Sequence, residues 1–184
     1  MKKMKKNDPR QIAKKFKKKL SQIKVFLVDV DGILTDGHIF YSGNEVGFNR
    51  SFHALDGYGL KLIREHGIKI GFITGGDSIS VKKRAEYLGL DFLFLGTEDK
   101  RKAFLEVEAK GYKPEEILYM GDELFDIPLL TRSGFSATVP NAPVELHENV
   151  DYVTVRDGGE GAVREVIDLV RYAQNIHPKI LDFE

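Results

Sequence analysis

Two aspartates one residue apart, Asp29 and Asp31, close an apolar run in the stretch VFLVDVDGILTDG. A carboxylate so placed can hold a hard cation. A single such pair is more ordinarily a turn former or a helix cap. Its company makes the difference. The apolar run IKIGFI is followed by Thr74-Gly75-Gly76-Asp77-Ser78, DFLFLG by Asp99 and Lys100, and EEILYM by Gly121-Asp122-Glu123, with Asp126 one helical turn on. Carboxylates gathered in one place repel one another unless a cation neutralises them. Oxygen donors without His or Cys suit Mg²⁺. Thr74, the glycine turn and Lys100 offer a hydroxyl, backbone N–H groups and a compact positive charge, which is what a phosphate needs. An EF-hand calcium loop is excluded, because the glycine of DVDG comes too early and the flank is a strand.

The elements around these residues alternate. Val25 to Asp29 is apolar throughout, as a strand covered on both faces should be. The stretch HIFYSGNEVGFNRSFH reads as two short strands about Ser42-Gly43-Asn44. Next come a helix ending at Gly67, a second strand, a helix ending at Gly89, a third strand, a helix ending at Gly111, a fourth strand, a helix over FDIPLLTRSG and a fifth strand. DYVTV is an edge-strand candidate, and GAVREVIDLVRYAQN is the last helix. Alternation of this kind predicts an α/β, three-layer Rossmann-like fold, with a central, mainly parallel sheet and right-handed crossovers. In such sheets ligands sit at the carboxyl ends of the strands. The polar clusters above follow four different strands, so the fold itself would bring them together.

The chain has 184 residues, no cysteine and a formal net charge of zero. One domain is expected, without a disulfide framework. No overall field draws in nucleic acid or a membrane surface. The N-terminus lacks the apolar core of a signal peptide, and no apolar run is long enough to span a bilayer, so a cytoplasmic protein is expected. The one composition shift is the basic lead: the first 24 residues hold 11 of the 28 Lys and Arg. Residues 1–21 are read as an N-terminal extension. Residues 1–9 read as a disordered basic lead, and a helix is expected from Pro9, with Ile12, Phe16, Leu20 and Ile23 on one face and lysines on the solvated side. Residues 22–184 form the main domain.

With the clusters assembled, DVDGILTDG, ITGG, the lysine of EDKRKAF and GDELFD resemble the four motifs of the haloacid dehalogenase superfamily. DGYGLKL and GGEGAVREV are similar to the small capless phosphatases that act on 3-deoxy-D-manno-octulosonate 8-phosphate, a step towards lipopolysaccharide. Close relatives act on nine-carbon sialic-type 9-phosphates. The resemblance runs from about residue 22 to residue 172. It implies Asp29 as nucleophile, forming an aspartyl phosphate, and Asp31 as general acid and base. It implies Mg²⁺ between the Asp29 carboxylate, the Asp31 backbone carbonyl and Asp122. Thr74 and Gly75 would bind phosphate, Lys100 would offset the charge on Asp29, Asp126 would support Lys100, and Arg84 would sit near the sugar acid. Two positions depart from the family pattern: Gly76, where Arg is usual, and Glu123, where Asp is common.

Only 42 residues separate Asp31 from Thr74, and 47 separate Thr74 from Asp122. The elements already named fill both gaps, so no cap domain is expected and the site would stand open. The hairpin about residues 38–52 carries Ile39, Phe40, Tyr41, Val46, Phe48 and Phe52, more apolar surface than a lone hairpin should expose. The resemblance implies a homotetramer in which four hairpins associate and each covers a neighbour's site.

Overall fold

The computed structural model describes residues 8–180, 182 and 183. The first seven residues of the basic lead lie outside the described residues. The elements are α1 (Pro9–Lys15), α2 (Lys17–Leu20), β1 (Val25–Val28), β2 (Phe40–Tyr41), β3 (Phe48–Asn49), α3 (Ala54–Glu65), β4 (Lys69–Ile73) and α4 (Ile79–Leu88). They continue with β5 (Phe92–Phe94), α5 (Arg101–Ala109), β6 (Ile117–Met120), α6 (Ile127–Arg132), β7 (Phe135–Thr138), α7 (Val144–His147), β8 (Tyr152–Val153) and α8 (Ala162–Ala173).

Six strands form one sheet in the order β5-β4-β1-β6-β7-β8. Every pairing in it is parallel. The all-apolar strands follow from this, since both faces are covered. Phe26 and Val28 point into a core shared with Ile70, Phe72, Leu118 and Met120 and closed by α3 and α8. Val25 and Leu27 point the other way, into a core with Phe104 and Val107 of α5 and Leu129 and Leu130 of α6. Three layers result. The chain builds outward from β1 through β4 to β5, then returns to β6 on the other side of β1, which puts a topological switch point at the end of β1. Among the described residues neither inter-motif gap holds a cap domain.

The N-terminal helix differs from the continuous one expected. It breaks at Phe16, whose backbone leaves the helical region (φ −100°, ψ 14°), while its ring packs edge-on against Phe135 at 5.3 Å. Ala13, Leu20 and Ile23 are buried in the same core as α8. β2 and β3 pair with each other alone, as a two-stranded antiparallel ribbon. Ile39, Phe40, Tyr41, Val46 and Phe48 on it are exposed, whereas Phe52 packs against the main core.

Candidate active site

Register fixes the site. Val28 is level with Phe72 of β4 and Met120 of β6. The residues that follow, Asp29, Ile73-Thr74 and Gly121-Asp122, therefore emerge side by side at one edge. Parallel strands in register turn a separation of some ninety residues into adjacency.

Asp29 is buried, 4 % exposed. One of its oxygens accepts the Val30 N–H at 2.6 Å, and the other meets the Lys100 ammonium at 2.7 Å. Lys100, just ahead of α5, is itself only 1 % exposed. Its second carboxylate is Asp126, also at 2.7 Å, and it lies over the Phe125 ring at 4.6 Å. Asp126 has no capacity to spare. Besides Lys100, its carboxylate accepts the Tyr119 hydroxyl at 2.6 Å and the backbone N–H groups of Asp122 and Glu123, both at 3.1 Å. These four donors match the four lone-pair sites of a carboxylate. Asp126 thus fixes Lys100 on one side and the start of the Asp122 loop on the other.

One oxygen each from Asp29, Asp122 and Asp126 can lie within 4.8 Å of one another. Because Asp126 is saturated, the ligands on offer are Asp29 and Asp122, whose Oδ1 is buried without a partner. Burial and the neighbouring carboxylates Asp29 and Asp126 push the Asp122 carboxyl up to about 8. Burial also pushes Asp29 up, reinforced by Asp126 and opposed by Lys100. Two carboxyls raised together, one holding an orphaned oxygen, form an environment a divalent cation relieves. With oxygen donors and no His or Cys, the set fits Mg²⁺. Gly32, at φ +82°, belongs to the same construction: a Cβ there would overlap the Asp122 carboxylate. The segment around Gly158 and Gly159 closes on the loop after β1, with the Gly159 N–H donating to Ile33 O at 3.0 Å.

Asp29, Asp31, Thr74, Gly75 and Asp122 line one hollow of about 400 Å³. Thr74 is buried, and its hydroxyl oxygen accepts the Gly76 N–H at 3.1 Å. Arg84 does not line that hollow. Its guanidinium donates to His53 O at 3.3 Å and stacks near the Phe52 ring at 5.4 Å, in space that Gly57 leaves by having no side chain. The sequence reading missed Arg50. It lines the hollow and grips Asp31 with two guanidinium nitrogens, Nε on Oδ1 and Nη2 on Oδ2, the latter at 2.8 Å. Lying in the hairpin rather than after a sheet strand, it fell outside a search of strand ends. A larger hollow of about 560 Å³ lies among α1, α3, β8 and α8. In it Arg164 pairs with Asp168 at 3.0 Å, and the clustered strand-end carboxylates are not there.

A buried carboxylate at one strand end, a second at the neighbouring strand end and a buried lysine on a doubly wound sheet are the features of a haloacid dehalogenase-like hydrolase, and the model of that family matches residues 97–167. The chain belongs more narrowly to the 3-deoxy-D-manno-octulosonate 8-phosphate phosphatase family. It is 36 % identical to the phosphatase KdsC of that name from Haemophilus influenzae, over 85 % of this chain and 87 % of the relative. It is 38 % identical to that from Escherichia coli K12, over 85 % and 83 %. The crystal structure of the phosphatase from Moraxella catarrhalis in complex with magnesium ion, phosphate ion and KDO superposes with a TM-score of 0.83 at 38 % identity, covering 88 % of this chain and 92 % of that one. The cobalt-bound form from Haemophilus influenzae gives a TM-score of 0.80 at 36 % identity, covering 85 % and 92 %.

Proposed function

We propose that this protein is a Mg²⁺-dependent phosphomonoesterase that releases phosphate from 3-deoxy-D-manno-octulosonate 8-phosphate. The observation that carries this reading is the meeting of Asp29 and Asp122 at adjacent strand ends, with Lys100 buried between Asp29 and Asp126. Family membership supports the substrate.

Asp29 attacks phosphorus. The phosphoryl group passes to its carboxylate as the sugar oxygen leaves, and Asp31 supplies the proton to that oxygen. Water then attacks the aspartyl phosphate, Asp31 takes its proton, and Asp29 and inorganic phosphate are released. Thr74 and Gly75 hold phosphoryl oxygens, and Lys100 balances the charge on Asp29. Asp126 holds Lys100 in place and shapes the Asp122 loop. Asp29, Asp122 and the Asp31 backbone carbonyl would hold Mg²⁺, which when bound would screen the repulsion between carboxylate and phosphate. Arg84 acts from the hairpin base, by fixing Phe52 and His53. We place the protein in the cytoplasm; separately, no helix among the described residues is long and apolar enough to cross a membrane. Its exposed hairpin associates with copies of itself as a homotetramer and closes the open site.

Phosphate release from the eight-carbon and nine-carbon keto-sugar acid phosphates, with and without Mg²⁺, tests this reading. Release that requires Mg²⁺, with the higher kcat/KM on the eight-carbon substrate, is expected. Failure to hydrolyse either ester overturns the reading, and preference for the nine-carbon ester moves the substrate.

A further inference from the structure

Arg50 carries an inference that rests on the phosphatase reading above. Its guanidinium occupies both oxygens of Asp31 in a fork. Its remaining nitrogen, Nη1, donates to the Ser78 hydroxyl at 2.7 Å, and Ser78 also caps α4 by accepting the Val81 N–H at 3.4 Å. The arginine is thereby tied to a helix end rather than left to swing. Its side chain is 4 % exposed against 28 % for Asp31, so the pair has a dry side and a side open to the hollow. The chain leaves room for it: a Cβ on Gly76 would come within 2.8 Å of Arg50 Nη2 and 3.4 Å of an Asp31 oxygen. Gly76 is not among the glycines with positive φ, so side-chain space and not backbone freedom is what this glycine supplies.

We propose that Arg50 is a positioning residue for Asp31 in the second half of the reaction. A carboxylate oxygen has two lone-pair sites. The fork takes one on each oxygen and fixes the carboxylate plane, leaving the outer sites towards the hollow for the attacking water. As that water's oxygen bonds to phosphorus and the bond from phosphorus to the Asp29 oxygen breaks, the water proton passes to Asp31. Freed from the fork, Asp31 rotates and meets the water in fewer of its orientations.

The test uses the full chain with Mg²⁺ and para-nitrophenyl phosphate, whose leaving group departs without a proton, so that the first half makes little demand on Asp31. Pre-steady-state release of para-nitrophenol and acid-quenched phosphoenzyme are measured for the wild type, Arg50→Gln, Arg50→Lys and Gly76→Ala. In R50Q, steady-state turnover is expected to fall by about tenfold to a hundredfold, part of what a positioned base contributes. A burst appears, and phosphoenzyme comes to occupy most of the sites. G76A, which keeps its backbone N–H while crowding the fork, shifts the same way by a smaller factor, and R50K, with one point of contact, lies between. General damage to the pocket lowers burst and steady state together and accumulates no phosphoenzyme; that result in both R50Q and G76A overturns the inference. A wild-type enzyme that forms neither para-nitrophenol nor labelled Asp29 instead sinks the phosphatase reading on which this one stands.

Discussion

The carboxylate cluster and the hairpin are built on opposite terms. At the ends of β1 and β6 charge is buried, and each group is held by several others: Lys100 sits between two carboxylates, and Asp126 has all four lone-pair sites occupied. In the ribbon of β2 and β3 apolar rings are exposed, and each strand has one partner. Tyr41 and Phe48 meet edge-on at 5.6 Å and still leave more than half of their surface to water. A buried charge that loses a partner has no water to fall back on. An exposed ring has water already and gains when another surface removes it. Substitutions in the cluster should therefore act within one chain, and substitutions in the hairpin between chains.

The largest effect is expected at Asp29. Asp29→Asn keeps the volume, leaves Lys100 its pairing with Asp126 and removes the nucleophile. Turnover should fall by at least about 10⁴-fold, the scale of losing a covalent catalyst, with the melting temperature unmoved or raised. Phosphate release together with calorimetry checks this; retained turnover would sink the aspartyl-phosphate route. Lys100→Met is expected to do the reverse on stability. It strands Asp29 and Asp126 as two buried carboxylates without their shared cation, at a cost of about 3–5 kcal/mol, and it also abolishes activity. Urea unfolding with an unchanged m-value and a lowered midpoint is the expected record.

The cluster should also respond to pH through its cation. Asp122 is raised to about 8, against about 3.9 in an unfolded chain. The folded, metal-free chain therefore binds this proton the more tightly. Its contribution to stability is complete below about pH 4 and is lost as pH climbs towards 8. A divalent cation takes the proton's place. At a concentration a hundred times its dissociation constant, Mg²⁺ should raise the melting temperature by roughly 5–10 °C at pH 8. It should do almost nothing at pH 6, where proton competition removes about 1.4 kcal/mol per unit. An equal gain at both pH values would show that Mg²⁺ binds elsewhere. In the hairpin, the pair of changes Phe40→Ser and Phe48→Ser should leave the unfolding of the single chain nearly unchanged, while sedimentation shifts from tetramer to smaller species. Turnover should fall about tenfold as the open site loses its cover. A wild-type chain that sediments as a monomer at micromolar concentration would remove the basis for that expectation.

What the sequence disclosed followed the same division. The uninterrupted apolar strands, and the polar residues placed directly after them, allow Asp29, Asp31, Thr74, Lys100, Asp122 and Asp126 to be named in advance, because parallel register converts position after a strand into position in space. Gly67 and Gly89 mark two helix ends, and both have positive φ. Three features had no such rule. The break at Phe16 falls where its ring meets one in β7 more than a hundred residues away. Helix α7 is a single turn with no periodic pattern to announce it. The Arg50 fork joins the hairpin to the loop after β1, a contact set by how the ribbon folds back. Arg84 shows the converse: its motif was legible, but its packing against His53 and Phe52 was not.

Two tyrosines sharpen the contrast at its finest grain. Each donates its hydroxyl to a side-chain oxygen: Tyr119 to Asp126 at 2.6 Å inside the sheet, and Tyr41 to Asn44 at the hairpin tip. Tyr119 is fully buried, and burial, with Asp126 beside it, holds its phenol far above the usual range, so it donates at every working pH. Tyr119→Phe removes one of the four donors on Asp126 and leaves a charged oxygen short of a partner where water cannot replace it, at a cost of about 1–3 kcal/mol. The resulting slack should pass through Asp126 to Lys100 and lower kcat a few-fold with KM little changed. Tyr41→Phe removes a bond of the same chemistry, yet water takes its place at once, and the change should stay within about 0.5 kcal/mol. If the two variants melt together, the hydrogen-bond saturation of Asp126 is not what holds the cluster, and the difference between the two regions lies in apolar packing alone.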